Sequence, residues 1–170
     1  MNRFKEAHQL DLALKDPKSG ISLTDLAREM PATKPAVSRW RHGQRKMDNA
    51  TLRRTARFVK DWFYHYSAAR EDYGIISFLQ SKRVRTDLFA ASVSQEKEEA
   101  DRKQIQQAAF ESAAVPKEQR TQQDWHNIDA YSKEFPEEIG SEITELLSFC
   151  KYVGIDPEEV IQSFNKRSGG

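Results

Sequence analysis

The sequence predicts an all-α protein: an N-terminal four- to five-helix bundle containing a helix-turn-helix, followed by a helical C-terminal region ending in a helical hairpin. Three observations carry this. Apolar residues recur at helical spacing along most of the 170 residues. Gly and Pro are few, seven and six, and runs of β-branched residues are absent. Ser, Thr and Asp stand where helices would start, and Gly where they would stop.

Residues 2–15 read as a first helix, with Phe4, Ala7, Leu10 and Leu14 on one side. DPKSG, residues 16–20, is a turn. Ser22 caps a second, short helix, LTDLAREM, with Asp25 three residues past the cap and Leu23, Leu26, Ala27 and Met30 on one face. Pro31 stops it. A third helix starts after Thr33, with Pro35 in the first turn, where a missing N–H costs nothing. It turns Val37 and Trp40 inward and ends near Gly43. Asp48 or Asn49 caps one long fourth helix over residues 50–67, striped by Leu52, Thr55, Ala56, Val59 and Phe63.

Gly74 interrupts the chain, and residues 75–93 read as helical, with Ile75, Phe78, Leu79, Val84, Leu88 and Ala91 on a shared side. Residues 94–107 are almost wholly polar and fit an exposed helix or a linker. Residues 112–124 read as a loop, and Phe135-Pro136 as a break. Ile143, Leu146, Leu147, Cys150 and Val153 then form a stripe that Gly154 ends. Asp156 caps a last helix, with Pro157 at its first position, and Val160, Ile161 and Phe164 pack back to make the hairpin.

The charge is unevenly placed. Residues 1–70 hold fifteen Lys and Arg against seven acids, whereas residues 71–170 hold twelve against nineteen, inside a chain of net charge +1. This division sets the expected domains: a basic domain, 1–70, and an acidic helical region, 71–170, for oligomerisation or partner binding. A single cysteine excludes an intrachain disulfide framework and fits a reducing compartment. No apolar run approaches the ~18 residues of a membrane span, and the charged N-terminus lacks a signal-peptide core. The expectation is a cytoplasmic chain with no membrane partner.

The positive charge concentrates in PATKPAVSRWRHGQRK, residues 31–46, which contain no acid. With Val37 and Trp40 inward, the third helix exposes Lys34, Pro35, Ala36, Ser38, Arg39 and Arg41. A helix of two turns fits the major groove of B-DNA, about 12 Å wide. The order of short helices over residues 23–59, with Leu26-Ala27 in the second helix, Val37 and Trp40 in the third and a leucine opening the fourth, resembles the lambda-repressor-like (XRE-type) helix-turn-helix family, and the chain as a whole resembles phage or mobile-element repressors.

That resemblance implies sequence-specific binding to double-stranded DNA. Lys34, Pro35, Ser38 and Arg39 then fall at base-reading positions. Ser22 and Thr33 would present helix N-termini to phosphates, and Arg41, His42, Gln44, Arg45 and Lys46 would follow the backbone. Binding to a palindrome implies a dimer or higher oligomer, which would occlude an operator and associate with the nucleoid. One position departs from the family: its turn usually has glycine where this chain has Pro31.

Other chemistry finds no motif. A Gly-rich phosphate loop, HExxH, a nucleophile elbow and CxxC are all absent. His8, His42, His65 and His126 are scattered, so no metal, cofactor or catalytic residue is expected, and the acid pairs Glu98-Glu99 and Glu137-Glu138 read as solvated faces. Cys150 reads as a buried thiol. Residues 75–91, residues 143–164 and the aromatic run Trp62, Phe63, Tyr64 and Tyr66 are the candidate self-association surfaces, and residues 71–170 the place for an antirepressor or inducer protein. The rival readings are an antitoxin or inhibitor whose helix-turn-helix serves only autoregulation, and a DNA accessory protein with little sequence preference.

Overall fold

The computed structural model describes residues 5–77 and 87–168, so Phe4, Phe78, Leu79 and Val84 lie outside the described residues. Everything regular within them is helical: α1 (Lys5–Lys15), α2 (Leu23–Glu29), α3 (Lys34–Arg41), α4 (Asn49–Val59), α5 (Trp62–Tyr73), α6 (Leu88–Ala114), α7 (Gln122–Val153) and α8 (Pro157–Ser168). The chain divides into two compact units after Ser77, and the expected boundary at residue 70 falls inside α5. No helix among the described residues is long and apolar enough to cross a membrane.

The first unit closes five short helices around one core. Leu10 and Ala13 of α1, Leu26, Ala27 and Met30 from α2, Val37 and Trp40 of α3, Leu52, Ala56 and Val59 of α4, and Tyr64 and Ala68 of α5 form a single buried cluster. The expected fourth helix is two helices. Lys60 adopts a left-handed conformation (φ 53°), and Asp61 then starts α5 by accepting a hydrogen bond from the Tyr64 N–H. This break lets α5 fold back on α4, where the His65 Nε2–H donates to the Ala56 carbonyl at 2.5 Å. Phe63 and Tyr64 are therefore core residues, not part of a self-association surface.

Pro31 bears out the tension seen in the sequence. The Ala32 N–H bonds the Ala27 carbonyl at 2.9 Å, the long-range bond of a Schellman stop, which places Pro31 at the position that wants a left-handed residue. Its φ is 25°, against the value near −65° that the pyrrolidine ring imposes, and it lacks the N–H that would make the motif's second bond. Pro31→Gly is expected to relieve this strain and raise Tm by about 5 °C in thermal unfolding, after the extra chain entropy of glycine is subtracted.

A buried carboxyl gives the unit a pH dependence. Glu6 is 4% exposed, and burial pushes its pKa above the ordinary range; nearby Glu71 adds to this, while a backbone hydrogen bond and Lys46 oppose it. The folded state thus holds this proton more tightly than the unfolded chain. Its contribution to stability is complete below the ordinary value of 4.5 and is lost as pH rises through the folded value. Glu6→Gln is expected to raise Tm by a few degrees near neutral pH, with the gain vanishing as the pH is lowered toward about 4.

In the second unit α6 and α7 pair antiparallel. Arg102 meets Glu138, Ser112 meets Asn127, Phe110 meets Tyr131 and Phe89 meets Tyr152, all in one register. Residues 94–107 are helix throughout. The loop expected over 112–124 shrinks, because α6 runs to Ala114 and a capping box of Thr121 with Asp124 starts α7 at Gln122. Arg120 braces the connection by donating to the carbonyls of Ala113 and Val115.

The expected break at Phe135-Pro136 does not occur, for Pro136 lies inside the 32-residue α7. A proline inside a helix costs roughly 3 kcal/mol, and packing along α6 offsets that loss. α7 does end at the predicted Gly154 (φ 78°), but the seam joining it to α8 is slight. Leu146, Val153 and Phe164 face outward rather than into it.

Candidate nucleic-acid interface

The α2–α3 pair is built from local signals. Ser22 Oγ accepts from the Asp25 N–H, and the Asp25 carboxylate accepts from the Ser22 N–H at 3.1 Å, closing a full capping box at the start of α2. The Ser22 hydroxyl and backbone hold the Asp25 carboxyl below its usual range, as does Arg28. Thr33 caps α3 by accepting from the Ala36 N–H at 3.3 Å, with Lys34 first and Pro35 second in the helix. At the other end the Gly43 N–H bonds the Trp40 carbonyl and the Gln44 N–H the Arg39 carbonyl. Both bonds of the Schellman motif are made there, because Gly43 takes φ 63° without strain. Val37 is fully buried and Trp40 is 8% exposed, so α3 is fixed in rotation.

That rotation sorts the basic residues. Lys34, Pro35 and Arg39 are exposed and Ser38 is half-buried, at spacings that share the outward face of α3. Gln44 and Arg45 are exposed in the loop that follows, where the Arg45 N–H also reaches the Arg39 carbonyl at 3.3 Å. Among the described residues, Lys34, Arg39 and Arg45 have no acidic partner.

The neighbouring cations are engaged inside the unit. Arg41 lies 3.2 Å from Asp11 and ties α3 to α1. Lys46 pairs with Glu71 of α5, which raises the Lys46 pKa. Arg53 makes a two-point contact with the buried Asp72 carboxylate, at 2.5 and 3.1 Å, and lies over the Tyr73 ring. Arg28 pairs with Asp25, and Arg54 with Glu29. His42 donates from Nδ1 to the Ser38 carbonyl at 2.8 Å and also contacts the Ser38 hydroxyl and Arg41.

The eleven positions singled out from the sequence therefore divide. Lys34, Pro35, Ser38, Arg39, Gln44 and Arg45 form one outward set on α3 and its loop. Arg41 and Lys46 are held by acids, His42 is tied to the Ser38 carbonyl, and the hydroxyls of Ser22 and Thr33 cap their own helices. The acids that hold the flanking cations, Asp11, Glu71 and Asp72, carried no signal in the local pattern, since two of them come from beyond residue 70.

In the second unit Glu138 is 4% exposed and paired with Arg102, not solvated as its sequence context suggested. Glu98, Glu134 and Glu137 bring three carboxylates within 4.8 Å of one another, and Lys97 sits 3.6 Å from Glu98. Cys150 is buried and its thiol pKa is raised by burial. Comparison with protein families, curated proteins and solved structures finds no match to the chain.

Proposed function

We propose that the chain is a sequence-specific double-stranded DNA-binding regulator, of the kind phage and mobile-element repressors represent, acting in the cytoplasm on the nucleoid. One observation carries the reading. On a helix of two turns, the cations that face outward are unpaired while those around them are locked into the scaffold. A surface that meets a polyanion benefits from this division, because no ion pair has to break on contact.

Roles follow from the chemistry of each side chain. Arg39 presents the planar fork that pairs with guanine O6 and N7. Lys34 offers a point charge to guanine or phosphate, Ser38 a hydroxyl to either, and Pro35 an apolar contact to a thymine methyl. Arg45 and Gln44, past the end of α3, reach phosphates. Regulation is steric: occupation of an operator excludes polymerase.

The test is selection of bound sequences from a random double-stranded pool by the full chain. Enrichment of a defined motif is the expected result. Recovery of the input distribution, or of unpatterned sequence at equal affinity, would remove specific DNA reading in favour of the accessory-protein alternative.

A further inference from the structure

We propose that the outer apolar stripes of α6 and α7 at the α7–α8 end of the hairpin form the contact with a second copy of the chain, giving an intermolecular four-helix bundle. The inference starts from what the hairpin lacks. The buried positions of its seam are mostly small or polar: Ala91, Ala109 and Ser112 of α6 against Glu138, Gly140, Thr144, Ser148 and Cys150 of α7. Among the described residues of this unit, Leu147 is the only large aliphatic side chain that is fully buried. Leu88, Ile105, Ile128, Ile139 and Ile143 are only half-buried along the pair, so two helices of 27 and 32 residues share a thin apolar core.

The large side chains are on the outside. Phe89 and Val93 are each 68% exposed and lie one turn apart on α6. Leu146, Phe149, Tyr152 and Val153 share a face of α7 at 38%, 47%, 67% and 45% exposure. The two stripes join where the Phe89 and Tyr152 rings meet edge to face, 6.0 Å between centroids. Together they expose roughly 650 Å² of accessible surface, and two copies covering it fully would reach the lower end of the ~1,200–2,000 Å² range of a stable interface.

The occupant is a second copy because the deficit belongs to the fold of the chain itself. A hairpin with so thin a core gains from cover whenever it is made, and a partner present at equal dose is another molecule of the same chain. Central apolar stripes are also self-complementary across a two-fold axis, where like charges would meet and repel. The inference goes beyond DNA reading and stands without it; where both hold, the second copy supplies the second half-site.

Sedimentation equilibrium of the full chain without DNA tests it, alongside thermal unfolding over a hundredfold range of concentration. The expected result is a dimer mass at micromolar concentration and a Tm for the hairpin that rises with concentration. A monomer mass with a concentration-independent Tm would overturn the proposal, and a heterologous partner would then have to cover this face.

Tyr152→Ser and Val93→Ser are expected to weaken dimerisation at least tenfold each while leaving helicity at high concentration intact. Trp125→Ser, which removes an exposed aromatic at the other end of α7, should leave it unchanged. Equal effects from all three would show non-specific apolar association and would also overturn the interface. Because DNA is absent from these measurements, their failure leaves the selection experiment untouched.

Discussion

Arg39→Ala is expected to weaken binding to the selected DNA site about 10- to 100-fold and to relax preference at one base position, with Tm unchanged. Arg41→Ala, two residues on, is expected to do the reverse: a fall of several degrees in Tm, with little change in base preference. Two arginines on one short helix thus have opposite signatures. The Arg39 side chain is exposed and touches no acid among the described residues. Arg41 is only 22% exposed at its side chain and faces Asp11, itself 16% exposed and also held by Lys15 at 2.6 Å. Removing Arg41 leaves that carboxylate half-buried with one partner and loosens α3 from α1. Fluorescence anisotropy against the selected site and thermal unfolding read the two quantities separately. Equal loss of affinity in both variants with equal Tm would contradict this division of roles.

Glu138→Ala is expected to lower the Tm of the hairpin unit by on the order of 10 °C. Glu138 accepts from Arg102 at 2.5 and 2.9 Å across the seam, and Arg102 also donates to Gln106 and lies over the Phe135 ring. Truncating the acid strands a guanidinium that is 17% exposed inside a helix pair, and that stranded charge, rather than the lost attraction, dominates the effect. The double variant Arg102→Met with Glu138→Leu is therefore expected to recover most of the stability. A double variant as unstable as the single one would mean that the pair is net favourable in its own right. The pair's position, two residues past Pro136, also makes it a marker of register for a helix that carries a proline in its middle.

What the sequence made legible was local. The caps at Ser22, Thr33 and Asp48, the stop at Gly43, and the inward set Leu26, Ala27, Met30, Val37, Trp40 and Leu52 all follow from backbone hydrogen-bond needs and helical spacing. The break at Lys60 was not legible, because a lysine in the left-handed region carries none of the signal that glycine does. Pro136 misled for the opposite reason: tertiary packing overrides a local breaker. The α6–α7 pairing was hidden because small and polar residues fill much of its seam, while part of the apolar stripe, Leu146 and Val153, points outward and only Leu147 and Cys150 of it are buried. Of the site, the outward face of α3 was readable. Which cations are already engaged was not, since that depends on acids distant in sequence.

The ion pairs of Arg41, Lys46 and Arg53 have a consequence for the thermodynamics of binding. Cations that already hold a carboxylate release no condensed counterion when they approach a phosphate. On the α3 face only Lys34 and Arg45 remain to do so, since Arg39 is assigned to a base. Each copy should then show a dependence of log affinity on log salt with a slope of about −2 from this face, far shallower than the basic excess of residues 1–70 would suggest. If the chain reads DNA as proposed, it would keep much of its affinity as ionic strength rises, and its discrimination among sites would rest on contacts to bases more than on the charge of the duplex.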